Sequence, residues 1–207
     1  GTSTETGLGE GPTTSSGQPA YKVRETTTIN GSPAWEGTIY HLCDYAGLSG
    51  LSVAEWAMDI QYEVTVDLDG DSTSLAPGMA SMVLDTPRNY LNMAKRGTGE
   101  SWTFSYNLNG GGGDSLTVSI PVSGTFTDEG MESVRIMGSD WNAWKISATY
   151  DMNLTSDPLL GALFSRNYPA DATFWWVRDV GLVKETHTDR DTGTTILSKE
   201  LTSVSGL

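Results

Sequence analysis

The stretch WAMDIQYEVTVDL constrains this chain more than any other. Trp56, Met58, Ile60, Tyr62, Val64, Val66 and Leu68 fall on one side of it, and Asp59, Gln61, Glu63, Thr65 and Asp67 on the other. A helix repeats at 3.6 residues and cannot sort side chains this way, whereas a strand repeats at two. The pattern predicts a half-buried antiparallel strand with one wet face. At ~3.3 Å per residue it would reach about 43 Å, which suits a large curved sheet or barrel better than a compact sandwich. The DLDGDS that follows supplies a turn.

The same period recurs from Tyr21 onward. YKVRETTTI and WEGTIYH read as an opening hairpin around Asn30-Gly31, with Pro33 shortening the second strand. SWTFSYNL and DSLTVSIPVSGTF flank NGGGGD, a glycine-rich hairpin loop. MESVRIM and WNAWKISATYDM follow, the latter with Trp144, Ile146, Ala148, Tyr150 and Met152 in phase. TFWWVR, VGLVKETHT and TTILSKELTSV close the chain, the last two joined by DRDTG. Helix is scarce: AGLSGLSVAEWA could hold one turn, and DPLLGALFS a short helix capped by Asp157. The expected fold is therefore mostly β: a single, strongly curved antiparallel sheet, a half-barrel or open barrel, with little helix. It is expected to be one domain over residues 21–207.

Residues 1–20 contain five Gly, five Thr, three Ser and two Pro, with Leu8 the only sizeable apolar side chain. Alone, such a segment cannot offset its ordering entropy, so a flexible tether is expected. A start on Gly1 reads as a processed or trimmed form, and a lipid anchor upstream of Gly1 fits it. Frequent Thr, Ser, Gly and Asn with few lysines point to an exported protein, secreted, periplasmic or anchored at the cell surface.

Charge narrows the partners. Twelve Lys and Arg against 26 Asp and Glu give a net charge of −14 across 207 residues. Phosphate backbones and anionic lipid surfaces reward the opposite sign, so nucleic acid is not an expected partner. No apolar run approaches the ~20 residues that span a bilayer, so no transmembrane segment is expected. One cysteine makes neither an internal disulfide nor a thiolate cluster.

Catalytic patterns are thin. AGLSGLS does not satisfy Gly-x-Ser-x-Gly, and no phosphate-cradling loop occurs. His41 and Cys43 stand at i and i+2, which share a strand face by default, so they read as packing residues. His187, beside Asp189 and Asp191, reads as solvated. Asp67, Asp69 and Asp71 have the alternate oxygens of a calcium loop, the one weak metal candidate. Ser72 stands where an EF-hand needs glycine and Gly78 where it needs glutamate, so an acidic turn is the better account and no metal or other cofactor is expected. Asn30-Gly31-Ser32 and Asn153-Leu154-Thr155 match the glycosylation sequon. Trp175 and Trp176 are adjacent, so one faces the interior of a strand's sheet and the other its opposite side.

ESVRIMGSDWNAWKISATYDM and TFWWVRDVGLVKETHTDRDTGTTILSKELTSV together resemble a block of many exported bacterial proteins. A valine strand, a small turn and an aromatic–Lys–Ile strand are followed by an aromatic strand, a Gly-Val-Gly-Leu-Val-Lys-like turn into a strand, a polar hairpin and a closing strand. This pairing is similar to the TapB-like proteins of unknown function, grouped with LolA- and LppX-like half-barrel lipoproteins. The likeness covers residues 131–204. Asp179 replaces the family's usual glycine, and Gly138-Ser139-Asp140 its usual turn. The resemblance implies a curved sheet in an exported or lipid-anchored protein, and no catalytic residues.

The function expected on these grounds is that of an exported, non-enzymatic β-protein of the cell envelope. It would bind a hydrophobic ligand or an envelope component, with Trp56, Met58, Tyr62, Trp144, Trp175 and Trp176 as candidate contacts and Met131 and Met152 as adaptable lining. The alternative is a self-assembling surface or filament subunit whose partners are copies of itself, joined by edge-strand or N-terminal-tail exchange. A hydrolase using paired carboxylates is the least favoured reading.

Overall fold

The computed structural model describes residues 3–15, 17–29, 32–43, 53–62, 65–68, 71–74, 78–89, 91–112, 116–153, 167–178 and 180–203. They form thirteen strands: β1 (Ser3–Ser15), β2 (Gln18–Ile29), β3 (Ser32–Cys43), β4 (Val53–Tyr62), β5 (Thr65–Leu68), β6 (Asp71–Ser74), β7 (Gly78–Asn89), β8 (Ser101–Gly112), β9 (Leu116–Ile136), β10 (Ser139–Asn153), β11 (Asn167–Val177), β12 (Gly181–Asp189) and β13 (Thr195–Glu200). A single 3₁₀ turn, Met93–Lys95, is the only helical element among them. The fold is mostly β and antiparallel, as the period of two requires. No helix among the described residues is long and apolar enough to cross a membrane.

Contacts divide the chain into two compact units. Gly1–Leu91 with Tyr106–Ile120 forms the first, and Asn92–Ser105 with Pro121–Leu207 the second. In the first, β1 to β4 pair in sequence order and β4 then pairs with β7, while β5 and β6 form a separate two-stranded sheet. The second is a meander, β9 through β13, each strand antiparallel to the next. Each succession stays open, and neither carries the strong curl expected of a half-barrel.

Several strands differ in extent from the sequence reading. Within the stretch 56–68, β4 is described to Tyr62 and β5 from Thr65, the latter pairing with β6, and residues 63 and 64 lie outside the described residues. Residues 3–15, inside the segment expected to be a tether, are β1, in register with β2 from Ser3↔Ile29 to Ser15↔Gln18. A backbone ladder needs no apolar side chains, which is why composition does not reveal it. Glu10, at the shift in register between Gly9 and Gly11, pairs with Lys22 at 2.7 Å and with Arg24. The short helix expected over 157–165 lies outside the described residues, as does most of the turn expected over 46–57.

The second unit holds most of the described core. Phe126, Ile136, Ile146 and Val183 are almost fully buried, with Trp144, Ala148, Ala170, Ala172 and Phe174 beside them. On β10 the phase is the one its sequence predicts, Ile146 and Ala148 being buried between less buried neighbours and Trp144 buried with them, although Ala143 on the opposite phase is buried as well. Phe126 is the hub: its ring centroid lies 4.5 Å from Phe104, 5.6 Å from Trp102 and 6.1 Å from Phe174. Burying an aromatic side chain of this size contributes about 2–3 kcal/mol from area alone.

β9 absorbs two stretches that read as separate strands. The register moves between Lys145↔Gly130 and Ile146↔Asp128, leaving Glu129 as an extra residue. Gly130 at φ 80° supplies the left-handed conformation that such a bulge needs. The turn into β10 is also displaced from Gly138-Ser139-Asp140. Ile136 pairs with Ser139, so Met137 (φ 51°) and Gly138 (φ 77°) form the two-residue turn.

Candidate functional site

Bulges and pairing give the second unit an inner face, which carries the core, and an outer face that meets water. On the inner face, Asp128 is one of two buried charged residues among those described, at 3% exposure. Burial pushes its carboxyl upward, but hydrogen bonds from the Gly99 N–H, the Trp144 indole, the Gly130 N–H and the Gly97 N–H outweigh that and hold it below the ordinary value. The Gly99 N–H donates at 2.9 Å, Trp144 Nε1 at 2.5 Å and the Gly130 N–H at 3.1 Å. The Asp128 N–H in turn donates to the Glu100 carbonyl at 3.1 Å. One carboxylate thus ties the 92–100 segment, the β9 bulge and Trp144 together.

That segment closes over Trp144. Asn92 caps the 3₁₀ turn, accepting from the Ala94 N–H at 3.2 Å. Arg96 then sits 5.9 Å from the Trp144 ring centroid, its Nη2 3.4 Å from the Met131 sulfur. Trp144, at 4% exposure, is therefore enclosed, with its one donor spent on Asp128.

A second polar group shares the inner face. Tyr150 Oη lies 2.8 Å from His187 Nδ1, and His187 Nε2 lies 4.0 Å from Glu185 Oε1. Lys199 Nζ holds the same Glu185 oxygen at 3.1 Å. His187 also stands edge-on to Phe174, with centroids 5.6 Å apart. The expectation of a solvated His187 is overturned. Its place two residues from Glu185 and four from Val183 puts it in phase with the buried side of β12. Phenol and imidazole share a hydrogen bond there and Lys199 holds the carboxylate, an arrangement that ties β10, β12 and β13 together.

The outer face has a different chemistry. Lys145, Trp175, Lys184 and Glu200 are consecutive partners across β10, β11, β12 and β13. Trp175 Nε1 donates to Glu132 Oε2 at 3.3 Å, although Glu132 is two strands away on β9. The bond carries the indole across β10, where Ala143, the Cα partner of Glu132, exposes no surface. Lys145 Nζ and Lys184 Nζ stand 5.9 and 5.6 Å from the ring centroid. Lys145 reaches Glu132 at 3.0 Å and Lys184 reaches Glu200 at 3.4 Å. The Lys145 ammonium, then the Trp175 N–H, draw the Glu132 carboxyl below its ordinary value. Trp175 is thus a half-exposed aromatic, fixed in orientation and ringed by alternating donors and acceptors.

The candidate contacts divide accordingly. Trp144 and Trp176 are Cα partners, the former enclosed and the latter half-buried, while Trp175 belongs to the outer face. Met152 is half-buried and Met131 exposed. Trp56, Met58 and Tyr62 lie on β4 in the first unit, with Met58 in register with Ile39 and Met82; their side chains are outside the described residues. So are those of His41 and Cys43 on β3. Asp67 pairs with Ser72 and Asp71 with Leu68, and Asp69 is outside the described residues. Among the described residues no three His, Cys, Asp or Glu side chains group to hold a metal ion. Glu132, Lys145, Lys184 and Glu200 are the site residues that sequence reasoning missed. The Trp175-Trp176 pair was the signal for them, since one of two adjacent tryptophans had to face water.

No family model matches the chain, and neither a curated protein nor a solved structure does.

Proposed function

We propose that this chain is an exported, non-enzymatic β-protein of the cell envelope that binds an envelope component on the outer face of its second unit. The observation that carries the reading is Trp175, held by Glu132 in the middle of the Lys145–Trp175–Lys184–Glu200 row. A half-exposed indole held in one orientation offers an apolar face and a polar edge together, which suits recognition of a surface partner. On the inner face, Phe126, Trp144, Ile146 and Phe174 pack on one another, which favours a surface partner over a hydrophobic ligand among these strands. The half-barrel resemblance and the Ser/Thr-rich, lysine-poor composition support export.

The test is cosedimentation of the purified chain with cell-wall sacculi and, separately, with phospholipid vesicles. Retention on either that falls at least tenfold in Trp175→Ala, with an unchanged circular dichroism spectrum, is expected. No retention of the wild type on either, or equal retention of the variant, would overturn the proposal.

Self-assembly stays a second reading because of β1. Thr6, Leu8 and Glu10 alternate with Gly7 and Gly9, and all five are exposed, so both faces of the strand are open. Glycine-rich strands with two polar faces specify register weakly and exchange readily between copies. Light scattering with and without residues 1–20 decides it: oligomers that vanish on truncation support exchange, and a monomer in both forms rejects it.

A further inference from the structure

The outer face carries more than the tryptophan. One step along the strands from the Trp175 row, Thr127, Ser147, Thr173, Thr186 and Ser198 are consecutive Cα partners from β9 to β13. One step further, Thr125, Thr149, Asp171, Thr188 and Thr195 align in the same way. Threonine on a wet strand face is an ordinary result of β-propensity, so the hydroxyl rows alone imply nothing. Beside a tryptophan already fixed in place, they define what the face can hold.

Three properties restrict the partner. First, the rows offer groups that both donate and accept, and Ser147 already donates to Glu129 at 2.6 Å while Ser101 and Thr127 share a bond at 2.9 Å. Second, charge alternates: Glu129, Glu132, Asp171 and Glu200 stand against Lys145, Lys184 and Arg190, the last held to Asp171 at 3.3 Å, on a chain of net charge −14. A polyanion meets repulsion there, and the apolar surface nearest Trp175 among the described residues is limited to half-buried side chains such as Val134 and Trp141. Third, the hydroxyls repeat every ~4.8 Å across the strands, a spacing comparable to the advance of one sugar ring in an extended chain.

Resting on the binding role proposed above, we infer that the outer face binds an uncharged, linear polysaccharide. One sugar ring lies on the Trp175 indole, and its neighbours run across the strands past Lys184 toward Glu200, with the Thr127-to-Ser198 row alongside. The indole's apolar face takes the ring's C–H groups, while Lys184, Glu200 and the row hydroxyls take its hydroxyls. Because the bond to Glu132 fixes the ring beforehand, little side-chain freedom is lost on binding.

The experiment is a ¹H–¹⁵N titration of the whole chain with cellopentaose and with chitopentaose, the Trp175 Nε1–H signal being assigned by its loss in Trp175→Phe. A saturable shift of that signal and of the Ser147, Thr173 and Thr186 amides is expected, with a Kd between about 10 μM and 5 mM. Trp175→Ala should weaken binding at least tenfold, and Thr173→Val with Thr186→Val a few-fold. No saturable shift up to about 10 mM, or shifts confined to other residues, overturns the inference. If neither oligosaccharide binds while cosedimentation still depends on Trp175, only the ligand class is wrong. If both fail, the binding role falls with it.

Discussion

Asp128 and Glu132 stand four residues apart on β9, on opposite faces of the same five strands. Asp128 is buried and takes its hydrogen bonds from backbone N–H groups and an enclosed indole. Glu132 is exposed and takes its bonds from side chains that also reach water, Trp175 and Lys145. Both carboxyls are held below their ordinary values, yet the consequences differ. Removing Asp128 takes the acceptor from the Gly99 and Gly130 N–H groups and from the buried Trp144 indole. Removing Glu132 returns its partners to solvent, which accepts them at little cost. The inner carboxylate therefore holds the fold together, and the outer one orients a surface.

Substitutions on the two faces should separate by size of effect. Phe126→Ala on the inner face should cost about 3–5 kcal/mol in chemical denaturation, because it empties the site where Phe104, Trp102 and Phe174 meet. Its neighbour Thr127→Ala on the outer face should cost under about 0.5 kcal/mol. Comparable losses would show that the two faces are not packed differently. Asp128→Asn should follow at about 2–3 kcal/mol, since the amide keeps the shape but puts N–H groups where donors already point. The sign of its pH dependence is fixed. The folded carboxyl titrates below its ordinary value of 3.8, so its contribution is complete above that value and is lost as the pH falls through the lowered one. Wild type should lose stability there more steeply than Asp128→Asn. Parallel acid profiles would mean that the carboxylate is not held as the geometry indicates.

Alternation made the inner face legible, because period two places Trp144, Ile146 and Ala148 together before any partner is known. It could not show what surrounds Trp144. The carboxylate that takes its indole lies sixteen residues upstream, at a bulge, and the segment that covers it has no periodicity. The bulge also explains the missed continuity of β9, where Asp-Glu-Gly looks like a turn but only inserts Glu129 into a running strand. Composition failed differently over residues 1–20. It measures the apolar surface a segment can bury, and β1 pairs through its backbone and the Glu10 ion pairs instead. As for the outer site, Trp175 was legible as one of two opposed tryptophans. Its companions were not, since Glu132, Lys145, Lys184 and Glu200 come from four other strands and meet it only through register.

Smaller effects sharpen the same contrast. Met137 holds a left-handed backbone conformation in the β9–β10 turn, where a side chain without a short polar group is strained. Met137→Asn should raise stability by about 0.5–1 kcal/mol, read as a higher thermal midpoint, and a lower midpoint would mean that Met137 contributes packing that outweighs its strain.

The outer carboxylate gives the smallest stability effect and the most direct test of its role. Glu132→Gln keeps an acceptor near the indole but removes the charge that binds Lys145. Stability should change by less than about 0.5 kcal/mol, as at most exposed positions. The Trp175 indole should nevertheless lose its fixed orientation, seen as faster relaxation and a shifted Nε1–H signal, while the Trp144 signal stays where Asp128 holds it. If Trp175 is unmoved, its orientation comes from the two flanking lysines, and Lys145→Ala with Lys184→Ala becomes the variant that frees it. If stability falls by several kcal/mol, Glu132 supports the fold as Asp128 does, and the division between a structural face and a binding face is wrong.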